Sequence, residues 1–189
     1  MIALLDNKDS FTFNLHHYLT CLNKEVHVIA EDEFSQNWDK FSEAESIVIS
    51  PGPGVPGDHK SIFEILSHFQ KEKPILGVCL GMQAIYEFYG GKIEKLTEPR
   101  HGKISQTKHQ GSILFHGIPE IFEVTRYHSL EIKKYDQKIW SISSESIDDN
   151  CIMSIEHNTL PIKGLQFHPE AYLTKYGMKI LQNWIKSYC

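Results

Sequence analysis

Cysteine 79 stands in a setting that could make it a nucleophile. Gly77-Val78-Cys79-Leu80-Gly81 follows an apolar run and precedes a helical pattern. This G-x-C-x-G spacing is the cysteine counterpart of the serine nucleophile elbow, in which two glycines make room for a sharp strand-to-helix turn. The turn aims the thiol into an open cleft, beside a helix N-terminus whose dipole favours thiolate. It also places the Leu80 N–H where it can help stabilise an oxyanion. The alternative is a buried cysteine in a glycine-rich turn. The other three thiols have plainer settings: Cys21 among the apolar positions of a helix, Cys151 at the start of a strand, Cys189 at a fraying terminus.

A cysteine nucleophile needs a base, and the base needs an orienting partner. Among 11 histidines, His168 is set apart by the run Gly164-Leu165-Gln166-Phe167-His168-Pro169-Glu170, an apolar strand ending in His-Pro-Glu. Proline fixes the turn at the strand end, and Glu170 can reach back to one imidazole nitrogen while the other faces a thiol. Cys79, His168 and Glu170 then fill the three roles of a triad; the alternative is a surface turn with a casual His and Glu. His101, His109 and His116 fit no usual metal-ligand spacing, so no metal and no cofactor are expected. Lys103, Lys108 and Lys133 read as exposed and carry no assigned role.

The elements that must position these groups alternate in the first half. Ile2 to Leu5 reads as a buried strand, followed by a helix with Phe11, Leu15, Tyr18, Leu19 and Leu22 on one face. Glu25 to Ala30 and Ser46 to Ile49 read as strands, the latter ending in Pro51-Gly52-Pro53-Gly54. A helix over Ser61 to Phe69 turns Ile62, Ile65, Leu66 and Phe69 inward. A strand over Pro74 to Val78 and a helix over Leu80 to Tyr89 follow, the helix capped by Gly90-Gly91. Strands are expected at Ile104 to Leu114, Phe122 to Tyr127, Lys138 to Ser143, Ile152 to Ile155 and Ile162 to Phe167, and a last helix at about Thr174 to Ser187. The reading is an α/β fold: a central, mostly parallel sheet with helices on both faces and antiparallel additions. Ligands of such sheets sit at the carboxyl ends of the parallel strands, where the loops after Ile49 and Val78 fall.

The 189 residues, 41% hydrophobic and 23% charged, suit one domain spanning 1–189 with a real core. A formal charge of -5 argues against nucleic acid as a partner. No run is apolar enough for a membrane span, and the N-terminus lacks the flanks of a signal peptide. A cytoplasmic protein with unpaired thiols is the expectation.

Gly77-Val-Cys-Leu-Gly-Met-Gln83 with His168-Pro-Glu170 resembles the class I (triad) glutamine amidotransferases, whose fold is flavodoxin-like. Asp6-Asn-Lys-Asp-Ser-Phe-Thr12, Ser50-Pro-Gly-Pro-Gly54, His101-Gly-Lys103 and Arg126-Tyr-His-Ser-Leu130 narrow it to the small glutaminase subunits of anthranilate synthase or aminodeoxychorismate synthase. The resemblance covers essentially the whole chain, with several motifs in order. It implies that Cys79 attacks the side-chain amide of glutamine, leaving a γ-glutamyl thioester that water cleaves, with His168 shuttling protons and Glu170 orienting it. It further implies an oxyanion hole from the N–H groups of Gly52 and Leu80, and glutamine held by Gly52, Pro53, Gly54, Gln83, Ser129 and Leu130. A side chain at the glycines would block approach of the amide to the backbone. The implied partner is a larger chorismate-using synthase subunit, in a heterodimer or heterotetramer.

Two positions depart from that family: Lys8 stands where Tyr is usual, and Ala171 where Ser is usual. Ala171 leaves no hydroxyl next to Glu170. Other readings are the glutaminase part of another amidotransferase such as GMP synthase, a hydrolase of γ-glutamyl substrates, a catalytically weak binding or regulatory subunit, and a purely structural domain. The segments Asp6–Thr12 and Arg126–Leu130 weigh against the first, and the intact triad against the third.

Overall fold

The computed structural model describes residues 1–133 and 135–188. Four βα units open the chain: β1 (Ile2–Asp6), α1 (Thr12–Cys21), β2 (Val26–Ala30), α2 (Trp38–Glu43), β3 (Ser46–Ile49), α3 (Lys60–Phe69), β4 (Ile75–Val78) and α4 (Leu80–Phe88). Then come β5 (Ile93–His109), β6 (Ile121–Ile132), β7 (Trp140–Ser146), β8 (Ile152–His157), β9 (Ile162–Leu165) and α5 (Gly177–Tyr188). One sheet holds all nine strands in the order β2-β1-β3-β4-β9-β8-β7-β5-β6. The first five in that order are parallel; the rest join antiparallel. The order 2-1-3-4 followed by a fifth parallel strand is the flavodoxin-like one, with its switch point between β1 and β3.

Side chains of a strand alternate between faces, and the core divides accordingly. Ile2 and Leu4 pack with Leu15 and Leu19 of α1 and Ile180, Leu181 and Trp184 of α5. Ala3 and Leu5 pack on the opposite face with Phe41 of α2, Ile62, Ile65 and Leu66 of α3, and Met82 and Ile85 of α4. Each such fully buried Leu or Ile contributes about 1.5–3 kcal/mol of transfer free energy. Both faces of the parallel strands are therefore covered, which explains their continuous apolar runs.

Several boundaries differ from the sequence reading, for physical reasons. The polar segment around α2 gave no helical pattern, since only Phe41 of its six residues is buried. The strand expected from Ile104 begins at Ile93 and ends at His109, and Ile113–Phe115 is a 3-10 turn. Most of β5 is solvent-exposed, so its first half carries no apolar alternation. α5 begins at Gly177: Thr174 is instead buried, its hydroxyl donating to the His168 carbonyl (2.8 Å) and accepting from the Thr125 N–H (3.0 Å). Cys21 is exposed, not part of the core, because Leu15 and Leu19 take the inward positions of α1. Cys151 is buried immediately before β8, and Cys189 lies outside the described residues. Gly90 has φ 80° and Gly91 donates to the Tyr86 carbonyl, the expected stop for α4. Among the described residues no helix is long and apolar enough to cross a membrane.

Candidate active site

The carboxyl ends of β1, β3, β4 and β9 bring the distant motifs to one edge. After β4 the chain turns through Cys79, at φ 52° and ψ -103°, directly into α4. A non-glycine residue held there costs on the order of 1–3 kcal/mol. The flanking glycines are required by close approach. A Cβ on Gly77 would lie 2.5 Å from the Gly81 carbonyl carbon, and one on Gly81 would lie 2.5 Å from the Ile49 carbonyl oxygen. The sharp elbow exists because α4 presses against β3 and β4 at these two points.

Behind the thiol stands His168, three residues past the end of β9, which stops at Leu165 rather than at Phe167 as expected from sequence. Its backbone N–H is anchored to the Thr125 carbonyl on β6. Nδ1 meets Glu170 Oε1 at 2.7 Å, with both side chains buried. Nε2 is buried and makes no hydrogen bond among the described residues. Burial opposes charge on the imidazole, but the Glu170 carboxylate and the Cys79 thiol outweigh it and hold its pKa well above the ordinary histidine value. Phe11 and Tyr127 pack their rings edge-on against the imidazole, with centroids 5.3 and 5.2 Å away. Glu170 Oε2 is buried without a partner among the described residues, and the next residue, Ala171, brings no hydroxyl.

The thiol opens on a pocket of about 180 Å³ lined by Gly52, Pro53, Gly54, Cys79, Leu80, Gln83, Tyr127, His128, Ser129 and Leu130. Every glutamine-site position expected from sequence lies on this wall, whereas His168 and Glu170 lie behind it. Gly52 is seated so closely that a Cβ would fall 2.3 Å from Leu80 Cδ2 and 2.8 Å from Asn7 Cβ. Its loop is tied to β1 by Asn7, whose backbone N–H donates to Ser50 Oγ (3.0 Å) and whose amide donates to the Ser50 carbonyl (2.9 Å). Thr12 and Lys8 both lean on Asp6, through a hydroxyl donation at 2.7 Å and a backbone donation at 2.9 Å. Lys8 itself points to solvent, at φ 62°, and pairs with Asp32 at 3.0 Å.

Residues that the sequence reading left unassigned complete the wall. Gln166 donates from Nε2 to Cys79 Sγ at 3.6 Å and accepts from Gln83 Nε2 at 3.1 Å. Gln83 also donates to the Leu130 carbonyl at 3.2 Å, so both hydrogens of its amide are used within the protein. Arg126, fully buried, donates from Nε to His128 Nε2 at 3.0 Å, while His128 Nδ1 donates to the Leu130 carbonyl at 2.8 Å. An arginine only donates, which fixes His128 as the neutral Nδ1–H tautomer. Burial, with the Arg126 charge beside it, pushes its pKa down to about 4. Arg126 is neutralised by Asp149 at 2.9 Å, which also pairs with Arg100 at 3.1 Å. Gln166, Arg126 and His128 lie inside motifs already named, whereas Arg100 and Asp149 lie outside them; the Gln166–Cys79 and Arg126–Asp149 contacts join separate elements, while Arg126 and His128 share β6.

A thiol on a strand–elbow–helix turn, backed by a His–Glu pair on a flavodoxin-like sheet, is an arrangement able to attack a carbonyl carbon and places the chain among α/β proteins with a nucleophile elbow. The chain belongs to the glutamine amidotransferase class-I family, whose model matches residues 3–187. It is 38% identical over 188 residues to the aminodeoxychorismate/anthranilate synthase component 2 of Bacillus subtilis, covering 100% of this chain and 97% of that one. It is 40% identical to the anthranilate synthase component 2 of Methanothermobacter marburgensis, covering 98% of each. An aminodeoxychorismate synthase of Streptomyces griseus, 38% identical, is matched over 96% of this chain but only 25% of its own length. Among solved structures, a Thermoplasma acidophilum protein described as one subunit of a GMP synthase superposes with a TM-score of 0.86 at 25% identity, over 98% of this chain and 92% of that one.

Proposed function

We propose that this chain is the glutaminase subunit of a chorismate-using synthase and delivers ammonia from glutamine to a larger partner subunit. The observation that carries the reading is the strained Cys79 elbow opening on a small polar pocket with the buried His168–Glu170 pair behind it. A pocket of about 180 Å³ is smaller than sites for drug-sized ligands, about 300 Å³ and upward, and suits one amino acid.

In this reading Cys79 attacks the side-chain carbonyl carbon of glutamine as thiolate, its sulfur steadied by the Gln166 amide. The carbonyl oxygen becomes an oxyanion received by the N–H groups of Gly52 and Leu80; one such donor is worth about 3 kcal/mol of barrier. His168 gives its proton to the departing nitrogen, the C–N bond breaks, and ammonia leaves a γ-glutamyl thioester. Water then attacks, His168 takes its proton, and the C–S bond breaks to release glutamate and the thiolate. Glu170 holds the imidazole in orientation throughout. Gln83, its amide hydrogens occupied, presents Oε1 to the substrate, and Pro53, Gly54 and the Ser129–Leu130 backbone hold the rest of it.

Free ammonia is mostly protonated at neutral pH, so the product is useful only if handed directly to an acceptor. The names of the relatives point to a synthase as that acceptor. The Streptomyces griseus protein supports the pairing, since a region like this chain forms a quarter of its length. The chain then works as one amidotransferase domain in the cytoplasm, needing no cofactor of its own.

The test is ammonia release from glutamine by wild type and Cys79→Ala, with and without anthranilate and aminodeoxychorismate synthase large subunits. Release by wild type with a synthase, lost in the variant, supports the reading. An inactive wild type with every partner, or a fully active variant, overturns it.

A further inference from the structure

His59, the residue before α3, is 5% exposed and touches two segments at once. Its Nδ1 lies 2.6 Å from Glu31 Oε2, in the loop after β2, and its Nε2 lies 2.8 Å from the Pro53 carbonyl oxygen. A carbonyl can only accept, so Nε2 carries a hydrogen and donates it. The Glu31 carboxylate beside Nδ1 fixes the plane of the ring and keeps Nε2–H aimed at Pro53.

Pro53 is not an incidental target. It lies between Gly52 and Gly54 on the wall that faces Cys79. Among the described residues no peptide bond is cis, and in a trans peptide the C=O and N–H point in opposite directions. Pinning the Pro53 carbonyl toward His59 turns the Gly54 N–H the other way. Gly54 has φ 75°, a conformation that a flexible glycine does not hold unaided. From inside the loop Asp58 accepts from the Val55 N–H at 3.3 Å and donates its own N–H to the Val55 carbonyl at 3.0 Å. The restraint on the Pro53 carbonyl itself comes from a side chain tied to the loop after β2.

We infer that His59, held by Glu31, is a positioning residue for the acyl-transfer step, fixing the Gly52–Gly54 backbone in the orientation that receives the substrate amide. The catalytic consequence rests on the glutaminase reading above; the clamp itself does not. Gly52, whose N–H is an oxyanion donor in that reading, is joined directly to Pro53, so the clamp reaches that donor through the loop, and a group that orients oxyanion donors acts on the transition state more than on the bound substrate.

The experiment pairs steady-state glutaminase kinetics, with the synthase partner bound, with amide hydrogen exchange on the free chain. Wild type, His59→Ala, His59→Gln, Glu31→Gln and the Glu31→Gln/His59→Ala double variant are compared, each with its thermal midpoint. In His59→Ala, kcat falls roughly 10-fold with KM within about 2-fold, because donor orientation is degraded rather than lost. Exchange at Asp58, whose N–H is bonded to the Val55 carbonyl in the same turn, speeds up while that at Gln83, bonded to the Cys79 carbonyl in α4, does not. His59→Gln restores an N–H donor and recovers most of kcat, which a merely structural role would not give. Glu31→Gln moves in the same direction, and the double variant is no worse than His59→Ala, because the two residues act through one contact. Wild-type kcat and wild-type Asp58 exchange in His59→Ala overturn the inference, as does a loss that follows the thermal midpoint and is not rescued in His59→Gln. If wild type releases no ammonia with any synthase, the glutaminase reading fails, and Asp58 exchange alone then decides the clamp.

Discussion

His168 and Glu170, two residues apart, meet at 2.7 Å through Nδ1 and Oε1. In a continuing strand, residues so spaced would stand on one face about 6.6 Å apart. The strand has already ended at Leu165, Pro169 lies in the turn that follows, and the Thr174 hydroxyl, bonded to the His168 carbonyl at 2.8 Å, holds the next segment back against it. The carboxylate therefore sits against the imidazole on the side away from Cys79. This one contact sets both the orientation of the base and its charge.

Against the pull of burial, Glu170 is the leading influence that raises His168. A raised folded pKa means that the imidazolium persists above the ordinary value of about 6.5, and its proton is lost only as pH climbs through the higher folded value. The stabilisation that charged His168 gives the fold is likewise fully present below about 6.5 and disappears along that climb. Glu170→Gln should shift the alkaline limb of kcat/KM toward lower pH and lower its maximum. A pH–rate profile of both proteins checks this; coincident alkaline limbs would show that Glu170 does not set the proton on His168.

At the elbow, a methyl group at position 81 would lie 2.5 Å from the Ile49 carbonyl oxygen, whereas nothing lies within 4 Å of a Cβ at Gly57. Gly81→Ala should destabilise the protein by about 1–3 kcal/mol through overpacking. Thermal midpoints should fall by roughly 2–4 °C per kcal/mol for a chain of this size. Gly57→Ala should leave the midpoint unchanged. Equal midpoints for the two variants would mean that α4 can back away from β3 at no cost.

Arg126 is fully buried and its charge is met by Asp149. Asp149→Ala leaves that guanidinium uncompensated, which typically costs about 3–5 kcal/mol. Because Arg126 also holds His128 and, through it, the Leu130 carbonyl, KM for glutamine should rise more than kcat falls. Urea denaturation and steady-state kinetics measure the two effects; an unchanged unfolding midpoint would refute the first.

His128 has its pKa lowered to about 4 by burial and the neighbouring arginine, against about 6.5 when unfolded. The unfolded chain therefore takes up this proton first as pH falls. Stability should decline from about pH 6.5 down to about 4, by on the order of 3 kcal/mol from this group. His128→Gln should flatten that part of the stability–pH curve. Equally steep curves for wild type and variant would assign the decline to other groups.

Read alone, the chain already determined its α/β character, since continuous apolar runs at Ile47–Ile49 and Ile75–Val78 alternate with amphipathic helices and need cover on both faces. It also determined the nucleophile turn, because the glycines that permit a sharp elbow are written beside Cys79, and the His-Pro-Glu turn, because proline acts locally. Local patterns could not reveal α2, where one buried side chain leaves no period, or the first half of β5, where exposure erases alternation. Nor could they show that Gln166 reaches the thiol, that Arg126 fixes the tautomer of His128, or that His59 clamps Pro53. The Gln166 and His59 contacts join residues from separate strands and loops at the carboxyl edge of one sheet, while Arg126 and His128 share β6 and stand on the same face of it. Strand order decides which of them meet, and strand order is settled by long-range pairing and core packing rather than by neighbours in sequence.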